Sequence, residues 1–309
     1  VVLILAAGLY YYVALPADNM HSSETWVALL FLLVILAALY LVKKRPGRGE
    51  IRQNKVLKGF AFLILALGIV YLAGTLLSSP IVNAKKFQQL MKVEEGEFTE
   101  DIEELSFDQI PILDRDTAAI LGDRKMGSMV DMVSQFDVDD IYSQINYQDR
   151  PYRVTPLKYA SIIKWFTNRS EGIPAYIRIN MADQTTELVQ LEEGIRYTTS
   201  EHLNRNIYRH LRFAHPTYIY GELSFEIDEE GVPYWIAPVK KFNIGLFGGE
   251  TVGKVVICNA VNGEMKTYDI EDVPQWVDRV YSADLLVDLF DYYGTLKHGF
   301  WNSVLSQKD

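Results

Sequence analysis

The chain has one cysteine, Cys258, in 309 residues, which excludes an internal disulfide framework and any zinc cluster built on thiolates. Histidine is scarce as well, with five in all. Basic residues are short where a nucleic-acid binder would need them: residues 81–309 hold 23 Lys and Arg against 37 Asp and Glu. So acidic a surface is a poor match for a phosphate backbone, and no nucleic-acid partner is expected. The G-x-S-x-G signature of a serine nucleophile is absent. Charge itself is missing from two long apolar runs, and these set the organisation of the chain.

Trp26–Val42 is seventeen uncharged residues and Gly59–Leu77 is nineteen. As helices they would reach roughly 25–29 Å, close to the ~30 Å hydrocarbon core of a bilayer. Val1–Pro16 is apolar too, and we read it as a third spanning helix whose start precedes Val1, with Tyr10, Tyr11 and Tyr12 suited to an interfacial belt. The spans predicted are therefore 1–16, 26–42 and 59–77, within a membrane anchor over residues 1–80. None contains an internal ionisable side chain, which argues against a transport path. Ala66, Gly68, Ala73 and Gly74 would permit close helix contact.

The seven bases of residues 1–80 all fall between Lys43 and Lys58, and the link Ala17–Thr25 has none. The positive-inside rule then puts the basic link in the cytoplasm and everything after Pro80 outside it. Asn83–Leu105 crowds Glu94, Glu95, Glu97, Glu100, Asp101, Glu103 and Glu104 without the ligand spacing of a calcium loop, so a solvated stalk or edge strand is expected. Asp114 or Asp116 can cap an amphipathic helix carrying Ala119, Ile120, Met126, Met129, Val130 and Val133. Residues 81–140 are thus read as stalk plus helix.

From Ile141 the pattern shortens to strands, and a self-comparison is productive. Pro151–Leu157 aligns with Pro233–Val239 at an offset of 82, sharing both prolines and the tyrosine, and Ile179–Asp183 aligns with Cys258–Asn262 at 79. Asn262-Gly263 is a tight-hairpin signal. Ser200–Tyr208 against Ser282–Phe290 offers a closing helix in each copy. In Ala175–Asn180 the alternation assigns Ala175, Ile177 and Ile179 to a buried face and Tyr176, Arg178 and Asn180 to a wet one. The fold class expected is α+β, with transmembrane helices followed by two hairpin-and-helix repeats over 141–220 and 221–309.

Gly253–Pro274, GKVVICNAVNGEMKTYDIEDVP, resembles the strand-turn-strand core of PepSY-like domains, with Asn259–Glu264 in the turn; the first copy has Gln184 and Thr185 where that turn would have Gly-Glu. PepSY-like modules are associated with inhibiting peptidases or binding partners at the cell envelope. The basic-looped anchor together with IPILDRDTAAILGDRKMG, RPYRVTPL, IIKWFTNRSEGIPAY and NIGLFGGE also resembles an uncharacterised family of multi-pass membrane proteins from Gram-positive bacteria. That likeness implies no activity and no catalytic residues.

Chemistry-bearing candidates have bland competitors. Gly248–Lys254 nearly completes a phosphate-cradling loop, but Val255 replaces the hydroxyl and a β-type run follows, so a loop between strands is expected. His202 and His210 stand eight apart, about two helical turns, without further ligands beside them. Asp137, Asp139 and Asp140, or Glu226, Asp228, Glu229 and Glu230, could supply acid and base, although Gly231 marks the second group as a hairpin turn. Asn168-Arg169-Ser170 matches a glycosylation acceptor, and Cys258 reads as a buried thiol. Aromatics gather around the two Pro-Tyr strands, and Tyr152, Trp165, Tyr234 and Trp235 are the candidate partner-binding residues, for a peptide or glycan. The expectation is a non-enzymatic, multi-pass membrane protein without cofactor or metal, binding lipid through its helices and another envelope or membrane protein outside. An envelope hydrolase and a sensor of a cation or peptide are the alternatives.

Overall fold

The computed structural model describes residues 2–45, 48–51, 53–97, 101–102 and 104–306. Val1, Arg52, Glu100 and Glu103, which figure in the runs above, lie outside the described residues.

Helix α1 (Val2–Ala14) has thirteen described residues, about 20 Å in length. Two described helices are long and apolar enough to cross a membrane, α2 (Ser23–Lys44) and α4 (Lys55–Leu77). A single turn, α3 (Arg48–Ile51), lies between them. Asn54 starts α4, its Oδ1 accepting from the N–H groups of Val56 and Leu57 at 3.0 and 3.3 Å. Its Nδ2 donates to Tyr40 near the end of α2 (3.1 Å), while at the opposite end the rings of Trp26 and Tyr71 lie 6.0 Å apart. The pair is therefore antiparallel. Neither helix buries any described residue, whereas a soluble core helix of such composition would be covered; this is compatible with membrane anchoring. Gly68 faces open space, and Gly74 faces Leu246 of a strand connection rather than another helix.

The expected stalk begins as helix α5 (Pro80–Gln88), with Pro80 at its first position, where a missing N–H costs nothing. Helix α6 (Arg115–Gly127) is capped by Asp114, which accepts from Thr117 N at 2.8 Å. Its buried stripe is Ala118, Gly122 and Met126, with Gly122 letting the helix approach Tyr142 and Val138 closely; Ile120 is exposed on the other side, and the helix ends at Gly127, which leaves Val130 and Val133 exposed in the turn that follows.

Among the described residues nine antiparallel strands form two sheets. In the first, β3 (Arg150–Tyr159) is flanked by β1 (Phe136–Val138) and β2 (Ser143–Tyr147) on one edge, and by β4 (Ile173–Asn180) and then β5 (Thr186–Ile195) on the other. The second runs in order β6 (Ser224–Ile227), β7 (Pro233–Ile244), β8 (Gly248–Asn259) and β9 (Met265–Asp269). The segments matched by sequence occupy matching positions, since Tyr152 pairs with Asn180 and Tyr234 with Asn259.

The following turns use one hydrogen-bond scheme. Asn180 Oδ1 accepts from Ala182 and Asp183, as Asn259 Oδ1 does from Val261 and Asn262; Asp183 then caps Thr185 N, as Asn262 caps Glu264 N. Gln184 takes the left-handed conformation (φ 64°) that Gly263 takes in the other turn (φ 79°).

The helices after the hairpins differ. Ser282 caps α9 (Ala283–Thr295) as the sequence suggests, but α8 (Ile207–Ala214) starts seven residues after Ser200 and is capped by Asn206. The Ser200 hydroxyl is spent elsewhere, accepting an N–H from Tyr159 of β3 and pairing with the neighbouring Thr198 hydroxyl. A short helix, α7 (Ile162–Asn168), connects β3 to β4.

The main core lies between the sheets and includes Leu157, Ile177, Phe225, Trp235 and Leu211. The wet face expected on β4 is covered: Tyr176 and Asn180 are buried because the second sheet lies over them, with Tyr176 edge-on to Phe225 (6.0 Å) and its hydroxyl donating to the Gly231 carbonyl (3.1 Å). A second cluster, Ile236, Val255 and Ile257 with Val277, closes the outer face of the second sheet. A third joins Phe87 of α5 to Ile244 and Leu296.

Candidate functional site

The most informative region is where the α+β part meets the N-terminal helices, and the glycine run NIGLFGGE builds it. Strands β7 and β8 extend to a tip at Gly245-Leu246-Phe247, which meets the C-terminal end of α4. Ser78 Oγ accepts from Leu246 N at 2.8 Å and Phe247 N at 3.2 Å while donating to Gly74 O at 2.6 Å. Ser78 is buried by this contact. His21 Nδ1 donates to the Leu246 carbonyl (2.7 Å), and the Phe247 ring lies 5.2 Å from Tyr71 and 6.2 Å from Trp26. A Cβ on Gly248 would run into the Ser78 carbonyl, and Gly245 has a left-handed φ of 61°. Close approach to a helix end, not a phosphate, explains these glycines.

A second junction joins α1 to α8. Arg209 Nε donates to the Tyr12 carbonyl (3.1 Å), with its guanidinium 4.1 Å from the Tyr12 ring centroid. Arg212 donates to the carbonyls of Leu15 (2.9 Å), Pro216 (3.1 Å) and Tyr218 (2.5 Å) and is buried. Helix α1 thus ends on two cations that satisfy carbonyls its own backbone leaves open and that complement its dipole.

A cleft of about 920 Å³ opens between the β2–β3 edge of the first sheet and the loop that leads into α9, lined in part by Arg115, Arg153, Arg279, Glu222, Asp278 and Tyr281. Its geometry depends on Glu226, which is 0 % exposed. That carboxylate accepts from Ser224 Oγ (2.8 Å), Asp278 N (2.9 Å) and Arg279 N (3.1 Å), fixing the loop that aims Asp278 and Arg279 at the cleft. Burial pushes the Glu226 carboxyl up to about 7 despite those donors. Burial also raises Asp278, whose Oδ2 accepts from Asn146 N (2.6 Å), and lowers Arg153, which donates to the Leu113 carbonyl. Charges of both signs line the walls, which suits a polar ligand. Glu226 itself is closed off from anything in the cleft.

The four candidate aromatics do not share a groove. Trp235 is fully buried, its Nε1 donating to the Tyr197 carbonyl (2.8 Å), and Trp165 is buried with Nε1 on Glu201 Oε2 (2.6 Å). Tyr152 is half-buried beside Tyr147 and under Arg178; Tyr234 packs on Trp276 at 5.0 Å. The acidic candidates also hold structure. Asp139 accepts from the Thr199 hydroxyl, Asp140 pairs with Lys158, and Asp228 caps the β6–β7 turn through Glu230 N and Val232 N.

The histidines are not helical neighbours, because His202 precedes α8 and packs on Trp165, whereas His210 bonds the Gly263 carbonyl. Among the described residues no group of three or more His, Cys, Asp or Glu is gathered as a metal set. The Cys258 thiol is buried, and burial pushes it up to about 12.

Comparison of the chain with protein-family models, curated proteins and solved structures finds no match. Ser78 and Arg212 are residues that sequence reasoning missed, and Glu226, expected as a possible acid or base in a hairpin turn, instead anchors a loop. The glycine run was the only signal for the first; the other two depend on carbonyls and amides brought from distant segments.

Proposed function

We propose that the chain is a membrane-anchored binding or scaffold protein of a bacterial cell envelope, with the part after Pro80 outside the cytoplasm. The observation that carries the reading is the placement of the two junctions. The end of α4, the start of α2 and the end of α1 all meet the α+β part, while the basic link Lys43–Lys58 lies at the other end of the α2–α4 pair. A non-enzymatic role is supported by four of the candidate carboxylates, Asp139, Asp140, Glu226 and Asp228, which are engaged with a hydroxyl, an ion pair, a loop and a turn. In this reading the two sheets descend from one PepSY-like hairpin unit, supported by the shared turn chemistry and by the paired tyrosine and asparagine of each copy. The occupant of the cleft between β2 and the loop before α9 is a polar segment of an envelope or membrane protein.

The test is in-cell photocrosslinking from Gln144 and Tyr281, both at the cleft, followed by gentle solubilisation. A discrete crosslinked protein is expected from these sites and not from Glu264 in the β8–β9 turn. Recovery of the chain alone from both sites would refute the binding role. Protease digestion of the α+β part in inverted vesicles but not in intact cells would refute its sidedness.

A further inference from the structure

We propose that helix α7 is a second, peripheral membrane contact, resting on the bilayer surface beside the point where α1 meets the α+β part. This inference builds on the anchoring above and assigns a lipid-binding surface within the β-rich portion.

Helix α7 is only seven residues, yet its outer edge is apolar: Ile162 is 63 %, Ile163 70 % and Phe166 69 % exposed. Such a cluster on a water-facing helix is costly and needs a cover. The helix is nonetheless firmly held. Ser161 caps it, Trp165 is buried against Glu201, and Arg169 lies over the Trp165 ring at 5.1 Å. The exposed residues are therefore presented by a fixed support and do not belong to a loose end.

The cover follows from what lies next to the helix. Trp165 packs on His202 at 4.9 Å, and two residues on, Asn204 accepts from the Tyr12 hydroxyl of α1 at 3.2 Å. Between them Leu203 is exposed, and beyond them Phe213 of α8 packs against Tyr11 and Tyr12. An apolar strip thus runs from the end of α1 through Leu203 to Phe166 and Ile163, continuous with the junction already described. The β3–β4 connection that carries α7 is also the counterpart, by strand register, of the β7–β8 tip that meets α4. Lys164 and Arg169 flank the apolar edge, the arrangement of an interfacial segment whose cations meet lipid phosphates while Phe and Ile enter the acyl boundary.

The test uses the full chain in lipid nanodiscs containing phosphatidylglycerol, with single-cysteine labels carrying an environment-sensitive fluorophore at I163C, F166C, F31C in mid-α2, and T185C in the β4–β5 turn. Cys258, being buried, stays unlabelled. Thr185 lies at the opposite end of the sheet, roughly 23 Å along β3 from α7. Quenching by spin-labelled lipid at 163 and 166 at least twofold above that at 185 is expected. Quenching at 31 with none at 163 and 166 overturns the peripheral contact and leaves the anchor standing; absence of quenching at 31 overturns the anchoring itself. Shielding of 163 and 166 from iodide without lipid quenching assigns the face to a protein neighbour and also overturns the proposal.

Discussion

Glu226 offers a direct test of how the loop before α9 is held, because its ionisation opposes folding. Its carboxyl is fully buried, with an ordinary value of 4.5 and a value of about 7 in the folded chain, the rise caused first by burial. Between those values the folded state keeps a proton that the unfolded chain has released, so stability falls as pH rises through this window. At about 1.4 kcal/mol per pH unit the loss from this group is roughly 3 kcal/mol, complete above pH 7 and absent below pH 4.5. Glu226→Gln removes the titration and keeps an oxygen for only one of the two amides, since Asp278 N is held by Oε2 and Arg279 N by Oε1; the lost contact adds an offset that does not vary with pH. The stability of wild type minus that of E226Q should therefore decline by about 3 kcal/mol between pH 4.5 and 7.5. Urea midpoints of the detergent-solubilised chain, followed by tryptophan fluorescence at each pH, measure it. A difference that does not vary with pH would refute the argument, showing that the buried carboxylate is better compensated than its three donors suggest.

Three further outcomes follow from named contacts. Gly248→Ala should push the β7–β8 tip off Ser78, raising deuterium uptake over Gly245–Gly249 while the first sheet keeps its protection. Arg212→Met leaves the carbonyls of Leu15, Pro216 and Tyr218 without their donor, and should cost at least about 2 kcal/mol in the urea midpoint. Trp235→Phe loses the hydrogen bond to Tyr197 O and leaves a void in the main core, a loss of about 2–3 kcal/mol by the same measurement.

What could be read in advance was whatever is encoded locally. The uncharged runs gave α2 and α4, Asn262-Gly263 gave the last hairpin, and the Pro-Tyr match located β3 and β7. Helix α5 carries its own local signals, Ser79-Pro80 at its start and two lysines in its last turn, inside a segment whose acidic composition reads as a stalk. Other features depended on partners far along the chain. Tyr176 looks wet by alternation and is dry only because the second sheet covers β4. Trp235 looks available because aromatics serve equally well in cores and grooves. The start of α8 moved because the Ser200 hydroxyl is taken by Tyr159 N of β3 and by Thr198, and no pattern in Ser224–Ile227 foretells that Glu226 will collect amides fifty residues away. The candidate site was therefore the least legible part of the molecule.

The β7–β8 ribbon spans about 40 Å from its tip on Ser78 to the turn whose Gly263 carbonyl is held by His210 of α8, the helix that also grips α1. Helices α1 and α4 are thereby tied into a closed mechanical circuit through protein outside their own packing. Neither can tilt or slide relative to the other without breaking a link in that circuit, so a load applied to the outer domain is shared between both helices at once.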